Sequence, residues 1–175
     1  MNEPAPFLDV AALRRAFDEA FARPARVDGD SGLPMLAIRA ADAAVALDLA
    51  AIKAIQLCPP ISEVPSEANS LLGVAAMRGS MAGMYSLAHL LGVSKARSAG
   101  NWAVTCGDGS IGLVFDELRG FERVNMEGVK RSAGGERLSS GFVEIAGSPH
   151  LLVNFTALIG EIMSATTNQG VTNDV

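Results

Sequence analysis

Apolar positions in this chain follow two different periods. Between Asp9 and Arg23 they recur at helical spacing: Val10, Leu13, Phe17 and Phe21 make one stripe, while Arg14, Arg15, Asp18, Glu19 and Arg23 take the other faces. Asp9 can cap this helix and Pro24 lies at its stop. At about 15 residues such a helix is marginal alone in water. Its stripe therefore needs a surface to dock on, either its own domain or a partner. Arg26 to Pro34, with Asp28-Gly29-Asp30-Ser31-Gly32, carries turn chemistry throughout and reads as a linker. From Met35 onward the apolar runs become short and are broken by turn residues, which predicts strands.

Met35 to Arg39 and Val45 to Leu49 flank Ala40-Ala41-Asp42-Ala43 as a hairpin. Leu49 to Leu57 stays open, because nine alanine-rich residues are compatible with a short helix or turn as well as with a strand. Trp102 to Cys106, Ser110 to Phe115 and Leu118 to Val124 are three further strands, with Gly107-Asp108-Gly109 as a hairpin turn. Glu127 to Gly141 is rich in glycine, serine and charge and reads as an excursion. Phe142 to Ile145 and Leu151 to Phe155 resume the strand pattern, with Gly147 to His150 turning between them. Thr166 to Val175 reads as a polar tail. Direct comparison reveals no internal repeat.

The most informative stretch is Leu71 to Gly92. Leu71 to Met77 is too apolar to leave in water, and Arg78-Gly79 follows with a charge that avoids cores and a residue that tolerates positive φ. That pair marks a tight surface turn, after which Ser80 to Tyr85 can pair back. Leu87, Leu90 and Leu91 then fall at helical spacing before Gly92.

Here the sequence resembles the CheW-like domain family, whose members are chemotaxis coupling proteins. The resemblance is carried by Gly73-Val74-x-x-Met77-Arg78-Gly79 and the Leu87-x-x-Leu90-Leu91-Gly92 that follows, by Val45 to Ile55, by the prolines 59, 60 and 65, by Asp108 to Phe121, and by His150 to Phe155 with Leu158-Ile159. These segments occur in the family's order over roughly residues 35 to 163. The chain also departs from that pattern. Ala76 stands where the family usually has asparagine, Gly83 and Ser86 where it usually has proline and aspartate, and Ala54 where an acidic residue is frequent.

Composition narrows the function. A chain of 175 residues, 49% hydrophobic but only 5% aromatic, can build a core from aliphatic residues. A net charge of −5 with scattered basic residues argues against nucleic acid, which needs clustered positive charge. The grouping Lys130-Arg131 with Arg137 reads as a solvated loop. The start of the chain has no basic, apolar secretory pattern, and Asp42, Asp48 and Lys53 interrupt the richest apolar region, so a cytoplasmic protein without membrane insertion is expected.

Candidate chemistry is sparse. Cys58 and Cys106 lack a second ligand at metal spacing, and His150 stands alone, so no metal site and no cofactor are expected. Ser86 and His89 fall on neighbouring positions of one helix face without an orienting carboxylate or a nucleophile elbow. Asp116 and Glu117, adjacent on a strand, point to opposite faces and cannot share a substrate. Asn154-Phe155-Thr156 matches a glycosylation acceptor, but inside a strand pattern it is discarded.

The expected fold is mostly β: two SH3-like five-stranded β-barrel subdomains over residues 35–165 with a short helix between them, preceded by the N-terminal amphipathic helix and linker (1–34) and followed by a flexible tail (166–175). The resemblance implies a non-enzymatic cytoplasmic adaptor coupling chemoreceptor cytoplasmic tips to a CheA-type histidine kinase in receptor arrays. It points to Ile52, Gly73, Gly112 and Asp116 as positions associated with coupling or groove formation. Arg78 is the first candidate contact, because arginine packs its stem while making several hydrogen bonds. Two alternatives stand beside this: a scaffold of a motility or other chemosensory-like system held through the N-terminal helix, and a small-ligand-binding regulatory domain.

Overall fold

The computed structural model describes residues 32–66, 68–94, 100–125, 129–130 and 138–167. The predicted helix Asp9 to Arg23, with its stripe Val10, Leu13, Phe17 and Phe21, lies outside them. Ten strands run in the order β1 (Leu33–Ala40), β2 (Ala43–Asp48), β3 (Ile52–Leu57), β4 (Leu71–Met77), β5 (Ser80–Ser86), β6 (Trp102–Cys106), β7 (Ile111–Phe115), β8 (Glu117–Val124), β9 (Ser139–Ile145) and β10 (Ser148–Val153). Helix α1 (Leu87–Leu90) follows β5 and helix α2 (Phe155–Thr167) follows β10.

Local chemistry explains both the matches and the corrections. The open segment Leu49 to Leu57 divides: Asp48 accepts the Ala50 N–H and caps a single 3₁₀ turn at Leu49–Ala51, after which β3 begins. The β9–β10 turn is Ala146-Gly147, both at positive φ (49° and 75°), rather than Gly147 to His150. His150 consequently sits in a strand, buried, with Nδ1 2.9 Å from the Ser148 carbonyl. β9 begins at Ser139, three residues earlier than the expected Phe142, because Gly141 extends the strand at φ 131° instead of ending the preceding loop. The largest correction is α2, where a strand was expected through Phe155. Asn154 Oδ1 accepts the Ala157 N–H at 3.1 Å and the Asn154 carbonyl accepts Leu158 N–H at 2.9 Å, which starts a helix. Phe155, Leu158 and Ile162 form its buried stripe.

The strands form two five-stranded sheets, ordered β8-β1-β2-β10-β9 and β3-β6-β7-β5-β4. Each contains two hairpins joined by one parallel pairing, β2 with β10 in the first sheet and β5 with β7 in the second. The sheets are thus one topology written twice, with β8-β9-β10-α2 corresponding to β3-β4-β5-α1 and β1-β2 to β6-β7. Gly73 matches Gly141, Gly79 matches Gly147 and Ser86 matches Asn154, each 68 positions later in the chain. The repeat escapes direct comparison because it survives in turn glycines and helix caps, not in the apolar residues between them.

Alternating burial divides the core three ways. Leu36 and Ile38 of β1, Val45 and Leu47 of β2, Tyr85, Val104, Leu113 and Phe115 of the second sheet, and the α2 stripe fill one shared core between the sheets. Met35, Ala37, Ala46, Val124, Val143 and Ile145 cover the other face of the first sheet. Ala75, Met77, Ala82, Met84, Ala103 and Val114 do so for the second. Because β1, β2 and β7 bury both faces, they read as continuous apolar runs. At about 1.5–3 kcal/mol for each fully buried large aliphatic side chain, this aliphatic interior needs few aromatics.

Candidate functional site

The β4–β5 hairpin is the part of the fold that presents a charge on a rigid mount. Arg78 and Gly79 both adopt positive φ, 47° and 84°, the backbone of a two-residue type I′ turn. The sequence pointed to Gly79 for this conformation; that Arg78 shares it was not evident. Arg78 is exposed, and among the described residues no carboxylate pairs with it.

The hairpin is held from behind. Gly73, at φ 146°, lets Ser62 bridge β4 through Ser62 N–H to Val74 O (2.8 Å) and Val74 N–H to Ser62 O (2.9 Å). A Cβ on Gly73 would lie 2.2 Å from the Ser62 carbonyl oxygen, so only glycine fits. Gly73 pairs with Met84, which pairs with Gly112, which pairs with Thr105, which pairs with Ala54, giving one row across all five strands. A Cβ on Gly112 would meet the Met84 Sδ at 2.5 Å. Gly73 and Gly112 are therefore brought together by Met84, both buried, as the seat of the hairpin. Ile52 lies in the next row, with Cys106, Ile111 and Gly83, half-buried against the shared core.

One departure from the family pattern keeps its chemistry by another route. Ser86 accepts the His89 N–H at 3.4 Å and caps α1, the task an aspartate there would perform. The Tyr85 ring lies beside Gly83, its Cε2 3.2 Å from where a Cβ would be. Ala76 is exposed and faces Met81 across the hairpin.

Asp116 sits away from the hairpin row, at the joint between β7 and β8. Its Oδ2 accepts the Ala41 N–H at 2.6 Å, and its own N–H donates to the Arg39 carbonyl at 3.0 Å. Arg39 in turn donates from Nε to Glu117 at 2.8 Å and from Nη1 to the Ala41 carbonyl at 3.0 Å. The Arg39 hydrogen bond holds the Glu117 carboxyl below its usual range, with Arg119 adding to the effect. Asp116 lies in a bend between the two strands rather than on a strand with Glu117, so strand alternation does not separate them: both carboxylates close on the Arg39–Ala41 segment, Asp116 at the Ala41 N–H and Glu117 at the Arg39 guanidinium.

No three His, Cys, Asp or Glu side chains converge for a metal among the described residues. Burial pushes the Cys58 thiol up, and pushes that of Cys106 up to about 11 with Asp108 adding to it. Neither is poised as a nucleophile. An open cleft of about 590 Å³ lies beside the second sheet, lined by Cys58, Pro59, Pro60, Ile61, Glu63, Leu72 and Gly100. No helix among the described residues is long and apolar enough to cross a membrane.

The sequence profile of the CheW-like domain family matches residues 34–163. The crystal structure of the scaffolding protein TtCheW from Thermoanaerobacter tengcongensis is similar to this fold, with a TM-score of 0.64 at 13% sequence identity, over 73% of this chain and 87% of that one. At that identity the likeness is one of fold. No curated protein matches the sequence.

Proposed function

The chain belongs to the CheW-like domain family, and from that premise we propose that it is a non-enzymatic adaptor that couples chemoreceptor cytoplasmic tips to a CheA-type histidine kinase. The family match supports a coupling and scaffolding role in general; the two named partners and a cytoplasmic place in receptor arrays are the finer reading. In this reading the two sheets are SH3-like barrels, each closed around its own small core, with the shared core between them fixing their relative pose.

The observation that carries the proposal is Arg78: an exposed guanidinium without an ion pair among the described residues, at the tip of a hairpin whose base is locked by Gly73, Met84 and Gly112. A rigid mount lowers the entropy that a contact must overcome, and arginine is the charged residue most often found at the centre of interfaces. Ile52, Gly73, Gly112 and Asp116 act in this reading by positioning: they hold the hairpin and the joint between the sheets. Individual contacts of this kind are modest and gain strength by repetition in an array.

The test is a titration of the purified protein with the kinase regulatory domain and, separately, with a receptor cytoplasmic fragment. Arg78→Glu should weaken binding to one of them by about tenfold or more while leaving the melting temperature unchanged. Equal affinities for wild type and variant would remove Arg78 from the interface, and the absence of binding to either partner would remove the coupling role.

A further inference from the structure

We infer that the outer edge of β4 at Ala76 takes an extended, apolar and acidic segment of a partner chain as an added strand of the second sheet. The inference rests on the reading that the Arg78 hairpin faces a partner. In an antiparallel pair, alternate residues turn their N–H and C=O toward the neighbouring strand and away from it. Val74 turns both of its groups away from β5, since both bond to Ser62, at 2.9 and 2.8 Å. Ala76, two residues on, has the same orientation, as does the hairpin geometry that pairs Met77 with Ser80. Ser62 covers only Val74, so the Ala76 N–H and C=O point out of the sheet beyond the end of that bridge, and no described residue takes them.

The side chains around this open pair suit a ligand strand. Ala76 is exposed and too small to shield its own backbone. Met81, directly opposite on β5, is 64% exposed and offers an apolar anchor. Arg78, next along, offers a guanidinium with no carboxylate partner among the described residues. An incoming strand that bonds to Ala76 would lay an apolar side chain on Met81 and bring a carboxylate to Arg78. Main-chain bonds supply affinity in this mode of recognition and the flanking side chains supply selectivity.

The first sheet shows what a closed edge looks like in the same protein. There Lys130 bridges Phe142 with two bonds of 2.9 Å, as Ser62 bridges Val74. The next outward residue is Glu144, opposite Pro149. A charge on an edge strand is a device that keeps it from pairing with another chain. The equivalent edge position in the second sheet is Ala76, which carries no charge. The asymmetry between two copies of one topology marks the second edge as the one left open.

The experiment is amide hydrogen exchange on the full chain, alone and saturated with the purified CheA-type kinase or with the receptor cytoplasmic fragment, alongside the affinity of Ala76→Glu, which copies Glu144. Strand addition predicts that the Ala76 amide exchanges about tenfold more slowly or better in one complex. It also predicts that Ala76→Glu loses about tenfold in affinity for that partner, whereas Glu144→Ala binds like wild type and all three proteins share one melting temperature. Binding with the Ala76 amide exchanging at its free rate would overturn strand addition and leave the coupling role standing. Protection that instead grows with the concentration of the protein alone would make a second copy the occupant and overturn the partner assignment. Binding of neither partner would remove the inference together with the reading it rests on.

Discussion

The Asp116 carboxylate accepts the Ala41 N–H at 2.6 Å, joining the end of β7 to the turn between β1 and β2 across 75 residues of sequence. Ala41 is held at φ 51°, a conformation that costs an alanine energy and persists when its surroundings determine it. Removing the carboxylate leaves that N–H half-buried and unpaired. Asp116→Ala should therefore lose about 1–3 kcal/mol in urea denaturation, and Asp116→Asn, which keeps an acceptor, less than half as much. A weakened partner affinity in Asp116→Asn with full stability would show instead that the carboxylate contacts the partner directly.

The glycines of the hairpin separate by what a methyl group would meet. Gly73→Ala drives a Cβ into the Ser62 carbonyl, backbone that cannot yield without breaking the Ser62 bridge. Gly112→Ala presses on the Met84 sulfur, part of a flexible side chain enclosed in the small core of the second sheet. Gly79→Ala meets nothing within 4 Å and bears only the cost of positive φ, about 1–2 kcal/mol. Melting temperatures should fall in the order Gly73→Ala, Gly112→Ala, Gly79→Ala, lowest first. Finding Gly79→Ala the least stable would mean that the turn, not the base of the hairpin, limits the fold.

Much of this architecture is legible in the sequence where local chemistry decides it. Arg78-Gly79 and Gly107-Asp108-Gly109 announce their turns, and the apolar runs beside them announce strands. The pairing of Ser62 with Val74 is not legible, since nothing in an isolated serine between prolines marks a bridge; Gly73 at φ 146° is its only trace. Helix α2 is obscured in the sequence because Leu151 to Phe155 continues an apolar run, although Asn154 followed by Ala157 and Leu158 carries a cap signal. Ala54 and Ala76 looked equivalent as lost polar anchors. The structure separates them: Ala54 is half-buried at the end of the glycine row, and Ala76 lies on an open edge.

The two helix caps provide a symmetric test of the repeat. Asn154→Ala removes the side-chain acceptor at the start of a 13-residue helix whose stripe fills the shared core, and should cost about 1 kcal/mol. Ser86→Ala removes the matching acceptor before a four-residue helix, through a longer bond of 3.4 Å, and should cost less. Denaturant unfolding of the two single variants and the double variant checks both, and additive losses are expected because the caps share no partner.

Cys106 gives the pH dependence a definite sign. It is fully buried in the shared core, and its thiol is pushed from an ordinary value of 9.0 to about 11, mainly by burial and in part by Asp108. In the unfolded chain the thiol loses its proton first, so above pH 9 the unfolded state binds fewer protons than the folded one and stability falls as pH rises. The contribution is intact below the unfolded value and is lost progressively between about pH 9 and 11. Half-buried Cys58, also raised by burial, acts in the same direction. Cys106→Ala should be about 1 kcal/mol less stable at neutral pH through the space it leaves, yet decline less steeply on the alkaline side. Denaturant titrations of wild type and variant from pH 7 to about 11 measure both effects, and parallel alkaline slopes would show that Cys106 keeps an ordinary pKa in the folded protein.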